Sequence, residues 1–200
     1  IVPNRGSLPA ATLAGNQDKQ ISPRAVPGKI HASHNREEIM FEQLQAKLSE
    51  GGARFRVIHH APVRTSAQAA EVRGTAPGQG AKAMLCRVKE QPDTLLLAVL
   101  PGDRKLDFRK LAAVVGGKKA TLVSGEEAEQ LTGCVPGSIP PFTFNPAIRL
   151  IADPWLLENF AEIAFNAGRL DTSMVLDAQD YLRIAKPLLA EISEPSSVAA

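Results

Sequence analysis

Residues 94–100 read Thr-Leu-Leu-Leu-Ala-Val-Leu, with no charge and a single hydroxyl. A strand with one wet face alternates apolar and polar side chains. An unbroken apolar run of this length suits a strand covered on both faces. The rest of the chain must therefore supply layers on either side of it. Pro101-Gly102-Asp103 turns the chain at its end. Residues 81–88 form a second apolar strand, but one that carries Lys82 near its start. That cation is the sharpest local oddity in the chain.

The flanking segments supply the layers. Residues 34–51 predict a helix, with Asn35 as N-cap and Glu37 and Glu38 in the first turn, where the helix dipole favours anions. Ile39, Phe41, Leu44 and Leu48 mark its apolar face, and Gly51-Gly52 stops it. Residues 54–59 read as a strand, and Thr65 or Ser66 caps a short alanine-rich helix. Beyond the apolar run come a helix over 107–115, a strand over 118–123, and a helix capped by Ser124 with Glu126 and Glu127 behind it. Residues 149–153 predict a strand, 154–157 turn away from it, and 162–166 pair with 173–176 around Ala167-Gly168. Asp177 caps a last helix. The expected fold class is α/β (mixed α+β), a curved mixed β-sheet flanked by helices. Residues 1–34, with Pro3, Pro9, Pro23 and Pro27, read as a tail outside a domain spanning 35–193, and 194–200 are expected to fray.

Composition narrows the function. A net charge of +2 is too small for strong non-specific nucleic-acid binding, and an aromatic share of 4% argues against broad base-stacking platforms. No DNA partner is expected. No apolar run approaches the roughly 18 residues of a membrane span, and the first residues carry no secretory apolar core. Cys86 and Cys134 are far apart and fit no metal spacing, so they read as buried free thiols in a reducing, cytoplasmic setting.

Chemistry concentrates in three places. Lys82 is either a strand lysine snorkelling to solvent or a cation fixed at a pocket mouth, where it would meet a phosphate or a developing oxyanion. The loop over 133–141, Gly-Cys-Val-Pro-Gly-Ser-Ile-Pro-Pro, is stiffened by prolines and freed at its glycines. It is either a rigid surface turn or a cradle that aims the Ser138 and Ile139 N–H groups at an ester carbonyl. His60 ends a strand nearby and is either structural or a ligand contact. Two adjacent histidines lack the further ligands of a zinc site. Neither a nucleophile elbow nor a phosphate-binding GxxxxGK[ST] run is present, so a serine triad is not expected.

Four stretches together carry a resemblance: VRGTAPGQGAKAMLCRVK from Val72, LTGCVPGSIPPF from Leu131, IADP from Ile151, and EIAFNAGRLDTS from Glu162 followed by DYLRIA. In order and spacing they are similar to the YbaK/prolyl-tRNA-synthetase-associated editing domain superfamily, over about residues 35–189. The resemblance implies a free-standing hydrolase that acts in trans on the 3′ end of mischarged aminoacyl-tRNA. It would cleave the ester between the amino acid and the terminal adenosine. Lys82 would be the principal functional residue, and the loop from Gly137 would contact the aminoacyl group. His60, Thr65, Ala83, Gly133, Gly137, Ser138, Ile139, Pro140 and Asn166 are the expected substrate-binding residues. No metal or organic cofactor is implied. Relatives that edit alanine often carry Asn directly after the lysine, and some carry His near the position of Asn166; here Ala83 follows the lysine. The expected amino acid is therefore small and hydroxylated, serine first, then threonine or alanine. A synthetase or an elongation factor would supply the tRNA affinity that the low net charge lacks. Two other readings stay open: a non-catalytic module that captures tRNA ends or aminoacyl conjugates, and a general small-ester hydrolase.

Overall fold

The structure, a computed structural model, describes residues 30–196, with side chains from Arg36 onward. Residues 1–29 and 197–200, which include most of the expected tail and the last part of the expected frayed end, lie outside the described residues. The elements are α1 (Ile30–Glu50), β1 (Phe55–His59), α2 (Ser66–Arg73), β2 (Ala81–Val88), β3 (Gln91–Pro101), β4 (Arg104–Leu106), α3 (Phe108–Ala113), β5 (Ala120–Leu122) and α4 (Gly125–Thr132). They continue with β6 (Ile148–Ala152), α5 (Pro154–Asn159), β7 (Glu162–Arg169), β8 (Thr172–Asp177), α6 (Ala178–Ala185), β9 (Leu188–Leu189) and β10 (Ser193–Pro195).

The apolar run lies in β3, at the centre of a five-stranded mixed sheet ordered β5-β2-β3-β6-β9. β2 flanks it antiparallel and β6 parallel. Both faces of β3 are covered, as its sequence demands. Leu96, Ala98 and Leu100 pack with Leu111, Ala112, Ile151 and Ile192 on one face. Leu95 and Leu97 pack with Met40, Ala128, Cys134 and Ile139 on the other. A second, antiparallel sheet, β1-β8-β7, packs against α1 and α6 through Leu44, Leu48, Phe165, Met174 and Tyr181. A parallel bridge between Gly80 and Ala164 ties the two sheets together. Among the described residues, no helix is long and apolar enough to cross a membrane.

Local capping reads as the side chains dictate. Thr65, Asp107, Ser124 and Asp177 each accept backbone N–H groups at a helix start. Four details differ from the sequence reading. Helix α1 starts at Ile30, so Asn35 lies inside it rather than capping it; no proline or glycine interrupts residues 29–50. Residues 154–159 form a proline-started helix capped by Asp153, not a simple turn. Ser193–Pro195 pairs with Arg104–Leu106, so ordered structure extends past Glu194. The fourth is Gly168, which does not turn the β7–β8 hairpin. β7 runs on to Arg169, and the register shifts between Asn166 and Arg169.

Gly168 is instead a bulge with φ +81, and its N–H donates to the Ser138 carbonyl at 3.0 Å. A Cβ there would lie 2.7 Å from Met40 Cγ. Both the left-handed backbone and the close approach exclude a side chain. Gly168→Ala is therefore expected to destabilise by about 2–4 kcal/mol, from backbone strain plus overpacking. A chemical denaturation midpoint equal to that of the parent would contradict this.

Candidate active site

The site is a gap between the two sheets. In β2, the Leu85 carbonyl accepts from Val123 N–H, on the side away from β3. Antiparallel pairing alternates peptide direction, so Ala83 also turns its peptide away from β3. β5 pairs only with Cys86, Arg87 and Val88. The first half of β2 thus shows an open edge towards β7. There the structure forms a cavity of about 230 Å³. β2 supplies Ala81, Lys82, Ala83 and Met84; the start of α2 supplies Thr65, Ser66 and Ala69; Gly137, Ile139 and Asn166 form the facing wall. Arg64 and Arg73 complete a lining with three cations and no carboxylate.

Lys82 is half-buried, and its Nζ donates to the Arg104 carbonyl at 2.7 Å. Burial pushes its pKa below the ordinary lysine value, and the nearby Asp103 charge partly opposes that. The Arg104 carbonyl is itself held in place. Arg104 Nε donates to Ser193 Oγ at 2.8 Å, and the guanidinium stacks 5.1 Å from the Trp155 ring centre. Ser193 and Ile192 in turn donate their N–H groups to buried Asp153 Oδ2, at 2.8 and 3.0 Å.

On the facing wall, Val135 to Ser138 form a tight turn. Ser138 N–H and Ser138 Oγ both donate to the Val135 carbonyl, at 3.0 and 2.9 Å. Ser138 is fully buried, so its N–H is committed within the loop. The N–H groups of Gly137 and Ile139 find no acceptor among the described residues. Asn166 Nδ2 donates to the Gly137 carbonyl at 2.7 Å and fixes the loop against β7.

Of the residues expected from sequence, Lys82, Thr65, Ala83, Gly137, Ile139 and Asn166 line the cavity. Ser138, Gly133, Pro140 and His60 do not. Gly133 is the left-handed C-cap of α4, with φ +73. Pro140 is buried and lines a separate cavity of about 260 Å³ that shares Ile139. His60 Nε2 lies 2.7 Å from Ser173 Oγ, and its Nδ1 lies 2.8 Å from the Ala61 carbonyl. Ser173 is fully buried behind Asn166 and outside the lining, so this pair supports the wall and does not form a nucleophile and base. Cys86 and Cys134 are buried free thiols, both pushed up to about 12 by burial, and hold no reactive thiolate.

Arg73 is the functional candidate that the sequence reading passed over. Its Nε donates to Ser173 Oγ at 2.8 Å and its Nη2 to Asn166 Oδ1 at 2.7 Å. A usable signal exists. Arg73 lies four residues after Ala69 and three after Ala70, the two buried residues of α2, so it shares their inward face.

Comparison with known proteins fits this geometry. A model of the aminoacyl-tRNA editing domain matches residues 60–184. The chain is 50% identical over 152 residues to the multifunctional Ser/Thr-tRNA deacylase ProXp-y of Escherichia coli K12, covering 76% of this chain and 91% of that one. Among solved structures, hypothetical protein APE2540 is similar with a TM-score of 0.69 at 24% identity, over 76% of this chain and 99% of that one. A candidate trans-editing enzyme for prolyl-tRNA synthetase gives 0.67 at 23% identity, over 78% and 97% of the two chains. These last two likenesses concern the fold. The matched domain model, together with half-identity to a relative that is almost wholly covered, means that the chain belongs to the aminoacyl-tRNA editing domain family.

Proposed function

We propose that this protein deacylates tRNA wrongly charged with a small hydroxylated amino acid, serine first and threonine next. The observation that carries the reading is the cavity itself. It sets a half-buried lysine across from a stiff loop with free backbone N–H groups, in a volume suited to a small aminoacyl group. An aminoacyl ester is already activated, so modest help suffices. Lys82 holds the phosphodiester of the terminal nucleotide as a point charge. Water attacks the ester carbonyl, and the free Ile139 N–H takes the developing oxyanion, the kind of donor whose removal costs roughly 3–4 kcal/mol. Collapse of the tetrahedral intermediate returns the electron pair to the ribose oxygen, which leaves with a proton, and frees the amino acid. The neighbouring ribose hydroxyl orients the water, consistent with a lining that contains no histidine or carboxylate. With a net charge of only +2, the chain binds tRNA weakly by itself, and delivery by a synthetase or an elongation factor is part of this reading.

The direct test incubates purified protein with preformed seryl-, threonyl- and alanyl-tRNA and follows amino-acid release. Catalytic loss of the seryl ester is expected. Protection of that ester against spontaneous hydrolysis would replace the enzyme with a binding module. Steric exclusion sets selectivity, because an extra methyl is poorly rejected by attraction alone. Ala83 lines the cavity on the β2 side. Ala83→Val is therefore expected to lower kcat/KM for the threonyl ester about 10-fold more than for the seryl ester. An unchanged ratio would remove Ala83 from the selectivity wall.

A further inference from the structure

The two inner cations of the cavity are held differently. Lys82 is a flexible point charge restrained by one hydrogen bond, to the Arg104 carbonyl. Arg73 is pinned at two of its nitrogens by Ser173 and Asn166, both neutral. No carboxylate faces it among the described residues, and burial alone pushes its pKa down, to about 10, so it stays charged at neutral pH. A guanidinium has five N–H donors in a fixed fork. Two are used here, and the remaining Nη1 lies towards Gly80, where the two sheets meet. Arg73 therefore spans the closed end of the gap, between β2 and Asn166. Asn166 also holds the Gly137 carbonyl, so the guanidinium and the free Ile139 N–H are tied to one rigid wall.

An unpaired cation in a partly dry site is costly unless a ligand completes it. Oxyanion stabilisation depends on donors whose positions are fixed before the reaction. Of the two cations, Arg73 meets that condition and Lys82 does not. We propose that Arg73 is a second catalytic residue of this site, donating from its unpartnered N–H groups to the ester carbonyl oxygen as it becomes an oxyanion, beside the Ile139 N–H. This rests on the deacylase reading above and divides the work within it: Lys82 anchors phosphate, and Arg73 stabilises charge at the reacting carbon. The serine or threonine hydroxyl plays no part in the Arg73 contact, so its contribution is the same for every amino acid the cavity admits.

The test compares wild-type protein with Arg73→Lys, Arg73→Gln and Arg73→Ala on seryl-, threonyl- and alanyl-tRNA. The expected result is a fall in kcat of roughly 10²–10³-fold for all three esters, with KM within about threefold, the loss seen when one oxyanion donor is removed. Arg73→Lys is expected to fall nearly as far, because it keeps the charge but not the fork. Millimolar guanidinium ion added to Arg73→Ala is expected to restore part of kcat. A rise in KM with kcat unchanged would overturn the proposal and make Arg73 a phosphate contact. A loss confined to the seryl and threonyl esters would overturn it in favour of side-chain recognition. Loss of folding in Arg73→Ala, with no guanidinium rescue and full activity in Arg73→Lys, would leave it a purely structural residue. Failure of the wild-type protein to release serine would remove the function itself, whereas an active parent with unimpaired Arg73 variants removes this assignment alone.

Discussion

Lys82→Ala should lower kcat/KM for seryl-tRNA by about 10²–10³-fold while leaving the fold intact. The magnitude is that of losing one charge-assisted contact to phosphate in a partly dry site, about 2–5 kcal/mol. The stability half of the expectation is separate and equally specific. Lys82 is half-buried and offsets its desolvation with one neutral carbonyl and a more distant Asp103 charge. Lys82→Met removes the charge and keeps most of the stem, so its thermal midpoint should equal or exceed that of the parent. A variant that loses activity only because it unfolds would contradict both halves.

The same lysine ties activity and stability to pH in opposite senses. Its pKa is lowered in the folded protein from the ordinary value of 10.5. Between the folded value and 10.5, the unfolded chain therefore binds more protons than the folded one. Stability from this group rises with pH across that window. With the ammonium as the proposed phosphate anchor, enzymatic deacylation is expected to fall across it once spontaneous ester hydrolysis is subtracted. The activity trend should vanish in Lys82→Met, and the parent's stability should gain on that of the variant as pH rises through the window. The stability from Cys86 and Cys134, pushed up to about 12 by burial, falls with rising pH in the same range, so the Lys82 contribution is the stability of the parent minus that of Lys82→Met. A fall in that difference as pH rises through the window would contradict the assignment.

Much of this was legible because it is local. An apolar run with no polar interruption predicts a strand covered twice, and β3 is covered twice. Thr65, Ser124 and Asp177 announce helix starts because a short polar side chain can reach a backbone N–H two or three residues on. Lys82 stood out because a cation in an apolar strand needs a reason. What stayed hidden is non-local. The cavity exists because β2 and β7 part beyond Gly80 and Ala164, and no spacing within either strand encodes that. Gly168 was readable as a special backbone position, but only Met40, 128 residues earlier, shows that it is a bulge under α1 and not a turn. Ser138 was expected to offer its N–H outward, yet Val135, three residues before it, takes that donor in a turn. Arg73 was passed over because a cation in a last helical turn has an ordinary explanation in the helix dipole.

The segment over 192–195, a strap that carries β10 along β4, shows how such hidden contacts reach the site, and Asp153→Ala should expose them. Asp153 is 2% exposed, and its carboxylate accepts three backbone N–H groups. One caps α5 at Trp155; the other two, from Ile192 and Ser193, hold the strap 39 and 40 residues away. Truncation removes charge-assisted bonds worth about 1.5–3 kcal/mol each and leaves buried donors unpaired. The expected cost is about 3–5 kcal/mol, or a fall in Tm of about 10 °C for a domain of this size. Asp153→Asn should recover little, since an amide offers one acceptor oxygen where the carboxylate uses two. The consequence for catalysis follows from geometry. Ser193 holds the Arg104 guanidinium, and the Arg104 carbonyl holds Lys82 Nζ. At a temperature where the variant remains folded, the loosened strap should raise KM for seryl-tRNA, because the one contact that restrains Lys82 Nζ, the Arg104 carbonyl, is no longer held. If Asp153→Ala melts with the parent, the strap is not anchored by this carboxylate. If it melts early but keeps the parent's KM, Lys82 does not depend on the strap for its position.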